Sequence, residues 1–278
     1  MKLPEGFDFS QSNLKDYLDC PYRFYLRYIL HTKWPALLVD DALEFEQRGQ
    51  TGARFHRLIQ QYLLRIPESR LREIAEADPN PSFAQWWEAF LEYIPPFLEG
   101  RKYPEMTLST KLGNHRLVAK YDLILVQDDN LIIFDWKTSR KQPRKAWLLD
   151  RVQTRLYRLI LTQAGSSLTS MGKISPDQVS MNYWFTANPS TLVSLPYSEK
   201  AYRKDITFFE EIIKEILDRK EENFYRTSDL NKCRYCVYRS HCDRGVEAGD
   251  LETFDSFGMD EEDFELDLDF DEIQEVAF

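Results

Sequence analysis

Apolar positions along this chain follow different rhythms in different places, and each rhythm predicts an element. Residues 117–126 read Leu-Val-Ala-Lys-Tyr-Asp-Leu-Ile-Leu-Val, and residues 131–139 read Leu-Ile-Ile-Phe-Asp-Trp-Lys-Thr-Ser. β-Branched and aromatic residues crowd both arms, and the polar quartet Gln127, Asp128, Asp129, Asn130 separates them, which predicts a β-hairpin. Both arms are apolar on both faces, as in central strands covered on each side. A strand over 107–113 leads into this hairpin, and a second hairpin is expected over 178–186 and 191–197, turning at Ala187-Asn188-Pro189-Ser190.

Around the strands the period changes to that of helices. Leu14, Tyr17 and Leu18 follow a capping Ser10 or Ser12, and Pro21 suits the first turn of a second, aromatic helix capped by Cys20. There Tyr22, Phe24, Tyr25, Leu26 and Tyr28 interleave with Arg23 and Arg27, a pattern of a core helix or of a surface that stacks bases. Residues 49–64 read as a helix with Leu58, Ile59, Tyr62 and Leu63 on one face and His56 near its start. Residues 68–100 look helical up to Pro95-Pro96, with Phe83, Trp86, Trp87, Phe90 and Leu91 apolar. Helices are expected over 145–162 and 199–222, while 31–48 shows no clear period. Helices and strands in this order predict an α/β domain around a mixed sheet.

At 278 residues the chain can bury a substantial core. Its net charge of −10 is uneven: residues 247–278 hold 14 acidic and no basic residues, so 1–246 stands at about +4. That mildly basic body suits an anionic partner, although the excess is small. The tail alternates acids with Phe, Leu and Ile and reads as a disordered, solubilising segment. Its charge also suits competition for a DNA cleft, or docking of a partner protein. The start, Met-Lys-Leu-Pro-Glu-Gly, lacks the apolar core of a secretory signal, and no run of 18 apolar residues spans a membrane. A cytoplasmic, reducing location is therefore expected.

Candidate chemistry begins in the central hairpin. If Gln127 pairs with Asn130, facing residues sum to 257, and Asp122 lies opposite Asp135 with Lys120 opposite Lys137. Opposed Cβ atoms stand roughly 4.5–5.5 Å apart, so the two carboxylates repel unless a cation sits between them. A divalent metal satisfies both acids; salt bridges to Lys120 and Lys137 are the simpler alternative. Gln153 and Tyr157, four residues apart on a helix, project together.

In a reducing compartment, four cysteines are better metal ligands than disulfide partners. Cys233, Cys236 and Cys242 form a Cys-x2-Cys-x5-Cys cluster that needs a fourth ligand. With His241 the set suits zinc. With the distant Cys20 it suits an iron–sulfur cluster and uses every cysteine in the chain.

Taken together, these residues resemble the RecB-like branch of the PD-(D/E)xK nucleases, in particular its iron–sulfur members, such as the AddB nuclease domain and the RecB-like CRISPR-associated exonucleases. The resemblance runs from Ser10 to Cys242. Residues 10–28 are similar to the family's N-terminal motif, which carries the first cluster cysteine, here Cys20. Gly52-Ala53-Arg54-Phe55-His56 resembles a Gly-x-x-x-His motif, Asp122 the acid of the first hairpin strand, and Asp135-Trp136-Lys137 the Asp-x-Lys motif. Gln153-Thr154-Arg155-Leu156-Tyr157 resembles Gln-x-x-x-Tyr, and Cys233, Cys236 and Cys242 the C-terminal triplet. Relatives often carry a glycine shortly before the first acid; this chain has Leu-Val-Ala-Lys-Tyr-Asp122.

The resemblance implies a restriction-endonuclease-like α/β fold, a mixed central sheet flanked by helices. One nuclease domain would cover 1–246, with segments 10–30 and 230–245 joined at a 4Fe-4S cluster. It implies Mg²⁺ or Mn²⁺ on His56, Asp122, Asp135 and the Trp136 carbonyl, a catalytic set of Asp122, Asp135, Lys137, Gln153 and Tyr157, and zinc as the lesser alternative at the cysteines. The expected function is metal-dependent DNA cleavage, as an exonuclease on single strands or ends in repair, recombination or CRISPR-type processing. A non-catalytic DNA-binding subunit is the alternative. No Gly-x-x-x-x-Gly-Lys loop is present, so an unwinding helicase partner would be a separate chain.

Overall fold

The computed structural model describes residues 3–33, 40–170, 172–234 and 236–245, without the side chains of 40–46. The acidic tail over 247–278 lies outside the described residues. One mixed sheet holds β1 (Asp8–Phe9), β2 (Arg101–Leu112), β3 (His115–Gln127), β4 (Asn130–Lys137), β5 (Val179–Phe185) and β6 (Leu192–Pro196). Its helices are α1 (Gln11–Asp19), α2 (Pro21–Phe24), α3 (Asp40–Leu63), α4 (Glu68–Glu76), α5 (Phe83–Tyr93), α6 (Lys145–Asp150), α7 (Val152–Ala164) and α8 (Glu199–Asp218).

β3 is the axis of the sheet. β2 pairs antiparallel along one edge of it, from Arg101↔Val126 to Leu112↔His115. On the other edge β4 pairs antiparallel from Gln127↔Asn130 to Leu123↔Phe134, and β1 pairs parallel at Arg116 and Leu117. β4 and β5 run parallel, so the chain between them must cross over, and α7 makes that crossing. β5 and β6 close the far side as a hairpin.

Helices cover both faces, which is why the central strands carry few exposed positions. Leu14 of α1, Leu156 and Ile160 of α7 and Phe209 of α8 pack on one face. Phe55 and Ile59 of α3 with Trp87 and Phe90 of α5 pack on the other. Ser10 caps α1, exchanging hydrogen bonds with Asn13.

Within β3 the alternation of faces reverses. Leu117, Ala119 and Tyr121 point to the α7 side, but after Asp122 the α7 side is taken by Ile124 and Val126, and Leu123 and Leu125 turn to the α5 side. The reversal is matched across the ladder. Glu105, facing the same point on β2, takes a left-handed φ of 53° and is skipped between Pro104↔Leu123 and Met106↔Tyr121. Because both strands change phase together, pairing survives on either side. Such an irregularity redirects a side chain, here the Asp122 carboxylate.

The predicted register therefore holds over residues 123–134 and ends there: Asp122↔Asp135 is not a ladder pair. Lys120 does not face Lys137 either; it lies opposite Thr107 and pairs with Glu105 at 2.8 Å. Other boundaries also differ from expectation. The strand expected over 107–113 begins at Arg101. The 68–100 run breaks into α4 and α5 because Asp78-Pro79-Asn80-Pro81 forms turns, Asp78 accepting from the Asn80 amide and Asn80 from the Ser82 amide. The helix expected over 145–162 is split where Arg151 is extended at ψ 141°. α3 starts nine residues earlier than expected, at Asp40, α8 ends four earlier, at Asp218, and past Phe24 the aromatic helix widens into a π turn, Tyr25–Ile29.

Candidate active site

Asp135 and Lys137 lie on β4 two residues apart, so both face α7. They are 2% and 4% exposed, and Lys137 Nζ stands 2.8 Å from Asp135 Oδ2. Gln153, in the first turn of α7, donates from Nε2 to Asp135 Oδ1 at 2.7 Å. The Tyr183 hydroxyl, on β5 opposite Asp135, donates to Gln153 Oε1 at 3.3 Å and lies 2.8 Å from Thr154 Oγ1. Asp135 is thus gripped by one cation and one amide, and the amide is itself held in place. Burial, reinforced by Asp135, pushes the Tyr183 phenol well up, so it stays a neutral donor.

Asp122 does different work. Its Oδ2 accepts the Trp136 amide at 2.9 Å, taking the place of a ladder acceptor where β3 and β4 part. Its Oδ1 lies 3.3 Å from His56 Nδ1, and His56 Nε2 donates to the Trp136 carbonyl at 2.8 Å. The Nε2 side faces a carbonyl, which only accepts, and the Nδ1 side faces the Asp122 carboxylate. Burial raises the Asp122 carboxyl, but the His56 charge and hydrogen bond, Lys137 and the Trp136 amide outweigh it and hold the group below its ordinary value.

The sequence-predicted residues His56, Asp122, Asp135, Trp136, Lys137 and Gln153 therefore meet around one peptide unit. Tyr157 is placed one turn further along α7, its ring 4.9 Å from that of Tyr121 and its carbonyl accepting the Tyr121 hydroxyl. Sequence reasoning missed Tyr183, Thr154 and Glu105. Tyr183 sits in the buried strand Val-Ser-Met-Asn-Tyr-Trp-Phe, whose pattern does not single it out, and only its register opposite Asp135 marks it.

The donors suit a hard divalent cation: two carboxylates, a peptide carbonyl and one imidazole. Among the described residues, however, no three of His, Cys, Asp and Glu surround a single point. The Asp135 oxygens turn to Lys137 and Gln153, and those of Asp122 turn to His56 and Trp136. Lys137 lies against Asp135, and His56 against Asp122.

A second cluster lies where the segment around Cys20 meets residues 225–244. Cys20, at the α1–α2 junction, lines one pocket with Cys233, Cys236 and Cys242. The segments are tied by the Tyr22 amide donating to the Tyr225 carbonyl, Lys232 pairing with Asp19 at 3.1 Å and Tyr238 donating to the Thr32 carbonyl. The Thr227 amide donates to Cys20 Sγ at 3.4 Å. Burial pushes the Cys236 thiol up to about 11, Arg23 and the backbone opposing it and Asp16 and Cys20 adding to it. Burial also raises Cys233 and Cys242. Arg23, Arg226, Lys232, Arg239 and Arg244 share the lining. His241 is not part of that lining. The space between the walls is about 20 Å³.

A sequence model of the PD-(D/E)XK nuclease superfamily matches residues 8–243. Among solved structures, a protein from Eubacterium rectale, provisionally named an exonuclease, is similar in fold at TM-score 0.52. It is 10% identical, and the match covers 91% of this chain and 94% of that one. The crystal structure of SSO0001 aligns at TM-score 0.39 and 14% identity over 87% and 88% of the two chains. No curated protein matches the chain.

Proposed function

The chain belongs to the PD-(D/E)XK nuclease superfamily, and from that premise we propose a Mg²⁺- or Mn²⁺-dependent deoxyribonuclease. We read it as an exonuclease of the RecB-like branch, acting on single strands or DNA ends, with residues 1–246 as one nuclease domain. The observation that supports this best is the convergence of His56, Asp122, Asp135, Lys137 and Gln153 on the Trp136 peptide.

Asp122, Asp135, the Trp136 carbonyl and His56 would hold the cation. When bound, it supplies an acidified water and neutralises charge on the phosphoryl oxygen. His56 would ligate through a neutral ring nitrogen, the form in which imidazole holds a metal. Asp135 must exchange its contact with Lys137, which frees the ammonium to orient the attacking water and to meet the charge that develops on phosphate. Gln153 keeps the Asp135 carboxylate from rotating, and Tyr183 and Thr154 keep Gln153 in place. Asp122 fixes the Trp136 peptide and hence the direction of its carbonyl.

The cysteine pocket is read as a structural 4Fe-4S site that joins these two segments. Its four thiols support that reading. A single zinc ion is the second reading, and metal analysis of the purified protein separates the two. Among the described residues no helix is long and apolar enough to cross a membrane. A helicase or other DNA-processing subunit as partner, a partner-binding role for the acidic tail, and a cytoplasmic setting complete the proposal.

The direct test is digestion of end-labelled single- and double-stranded DNA by anaerobically purified protein, with Mg²⁺, Mn²⁺ or EDTA. Metal-dependent shortening from one end supports the reading. DNA binding without cleavage in any metal would leave the non-catalytic binding subunit.

A further inference from the structure

The strand that carries Asp135 and Lys137 runs directly into residues 140–151, Arg-Lys-Gln-Pro-Arg-Lys-Ala-Trp-Leu-Leu-Asp-Arg. Five cations stand there against one acid, Asp150. Arg140, Lys141, Arg144 and Lys145 are all exposed. Between them and Gln153 sits Trp147, 37% exposed although it is the kind of side chain a fold normally buries. The Arg151 guanidinium lies over one face of its indole, 4.8 Å from the ring centroid. The ring is thus held flat from one side while part of it stays open to solvent. Gln142 accepts a hydrogen bond at 2.7 Å from Asn188 in the β5–β6 turn, which anchors the start of the segment. Arg151 is the residue before α7, two positions ahead of the Gln153 that holds the Asp135 carboxylate, so the segment ends beside the candidate site.

We propose that residues 140–151 form the surface that holds the single-stranded substrate, with one base stacked on Trp147 and flanking phosphates on Arg140, Lys141, Arg144 and Lys145. This deepens the nuclease reading and rests on it for the identity of the substrate. Two features point to a single strand rather than a duplex. A partly exposed indole stacks on a base only when that base is itself unstacked, and cations spaced along a short segment follow a flexible backbone. Paired bases in a duplex present edges, not faces.

The test is equilibrium binding in EDTA, so that no cleavage intervenes. Oligo(dT) and a blunt hairpin duplex would be titrated against the full chain, W147A, W147F and R144A/K145A. For W147A, single-strand affinity is expected to fall about 5- to 150-fold with little change for the duplex. W147F should stay within about threefold of the wild type, because a phenyl ring still stacks. R144A/K145A should lower the salt dependence of single-strand binding by about 1.4 in log–log slope, about 0.7 per phosphate. Indole quenching by oligo(dT), taken as wild type minus W147F, should be present.

Unchanged single-strand affinity in W147A overturns the proposal. So does an equal loss for single strand and duplex, which would make the surface a general phosphate binder. A wild type that binds single strands through Trp147 but cleaves nothing in Mg²⁺ or Mn²⁺ would sink the nuclease reading and leave this surface standing.

Discussion

Gln153→Leu separates holding a carboxylate from binding a metal. Leucine keeps much of the volume and removes the donor. Asp135, 2% exposed, then loses the 2.7 Å bond to its Oδ1. A hydrogen bond to a charged group contributes about 1.5–3 kcal/mol net. Tyr183 loses a partner too, but its hydroxyl keeps Thr154 at 2.8 Å and adds little. The expected destabilisation is about 2–3 kcal/mol, a fall in melting temperature of roughly 4–12 °C for a chain of this size. The functional effect is separate. Asp135 retains Lys137 but can rotate about its side-chain bonds, and loss of an outer contact of this kind costs about 10- to 100-fold in metal affinity or activity. The assays are metal-free thermal melting and the Mn²⁺ activation curve for DNA cleavage. A melting loss with an unchanged Mn²⁺ midpoint would refute the positioning role and make Gln153 a packing residue.

Asp19, beside Cys20, binds Lys15, Arg23 and Lys232; burial raises its carboxyl, but these three cations pull it well below its ordinary value. Its contribution is therefore complete above the unfolded carboxyl value and lost as pH falls through the lower, folded one. Asp19→Asn should lower stability at pH 7 and converge with wild type in strong acid, as read by denaturant melts across pH; a pH-independent gap would contradict this. Asp205→Ala strands Arg155, whose Nε lies 2.6 Å from Asp205, and removes the acceptor of Tyr197. Breaking a buried pair of this kind costs about 3–5 kcal/mol, and a melting shift under about 2 °C would contradict that estimate. Cys20→Ser should lower bound iron and sulfide from about four each per chain, measured colorimetrically after anaerobic purification. Stoichiometric zinc in the wild type would replace the iron–sulfur reading.

Much of this was legible in the pattern. Gln127 to Asn130 set the hairpin register through Leu123↔Phe134, and Asp-x-Lys placed two charged groups on one face of β4. What strand alternation alone could not reveal is the reversal at Asp122. It coincides with Glu105, 22 residues before the turn at Gln127, adopting a left-handed backbone that β-strand patterns do not encode. Because of it Asp122 reaches the Trp136 amide instead of confronting Asp135. The break at Asp78-Pro79-Asn80-Pro81 was visible as turn chemistry, and the strong apolar period on either side masked it. The extended Arg151 leaves no such trace, yet it splits α6 from α7 and seats Arg151 on Trp147. Cys20 stands out in the sequence as a lone thiol at a helix junction; in the fold it lines one pocket with Cys233, Cys236 and Cys242, although among the described residues no three of these ligand types surround a single point.

Lys137→Ala tests the central claim most directly. Lys137 touches Asp135 but ligates nothing, so the variant should still bind single-stranded DNA and Mn²⁺. Single-turnover cleavage of end-labelled DNA at saturating Mn²⁺, wild type beside K137A, is the measurement. The account predicts metal-dependent cleavage by the wild type and at least a hundredfold loss in the variant, on the order expected for removing one group that stabilises transition-state charge. Cleavage at the wild-type rate in K137A would contradict the assignment of this site as the phosphodiesterase centre.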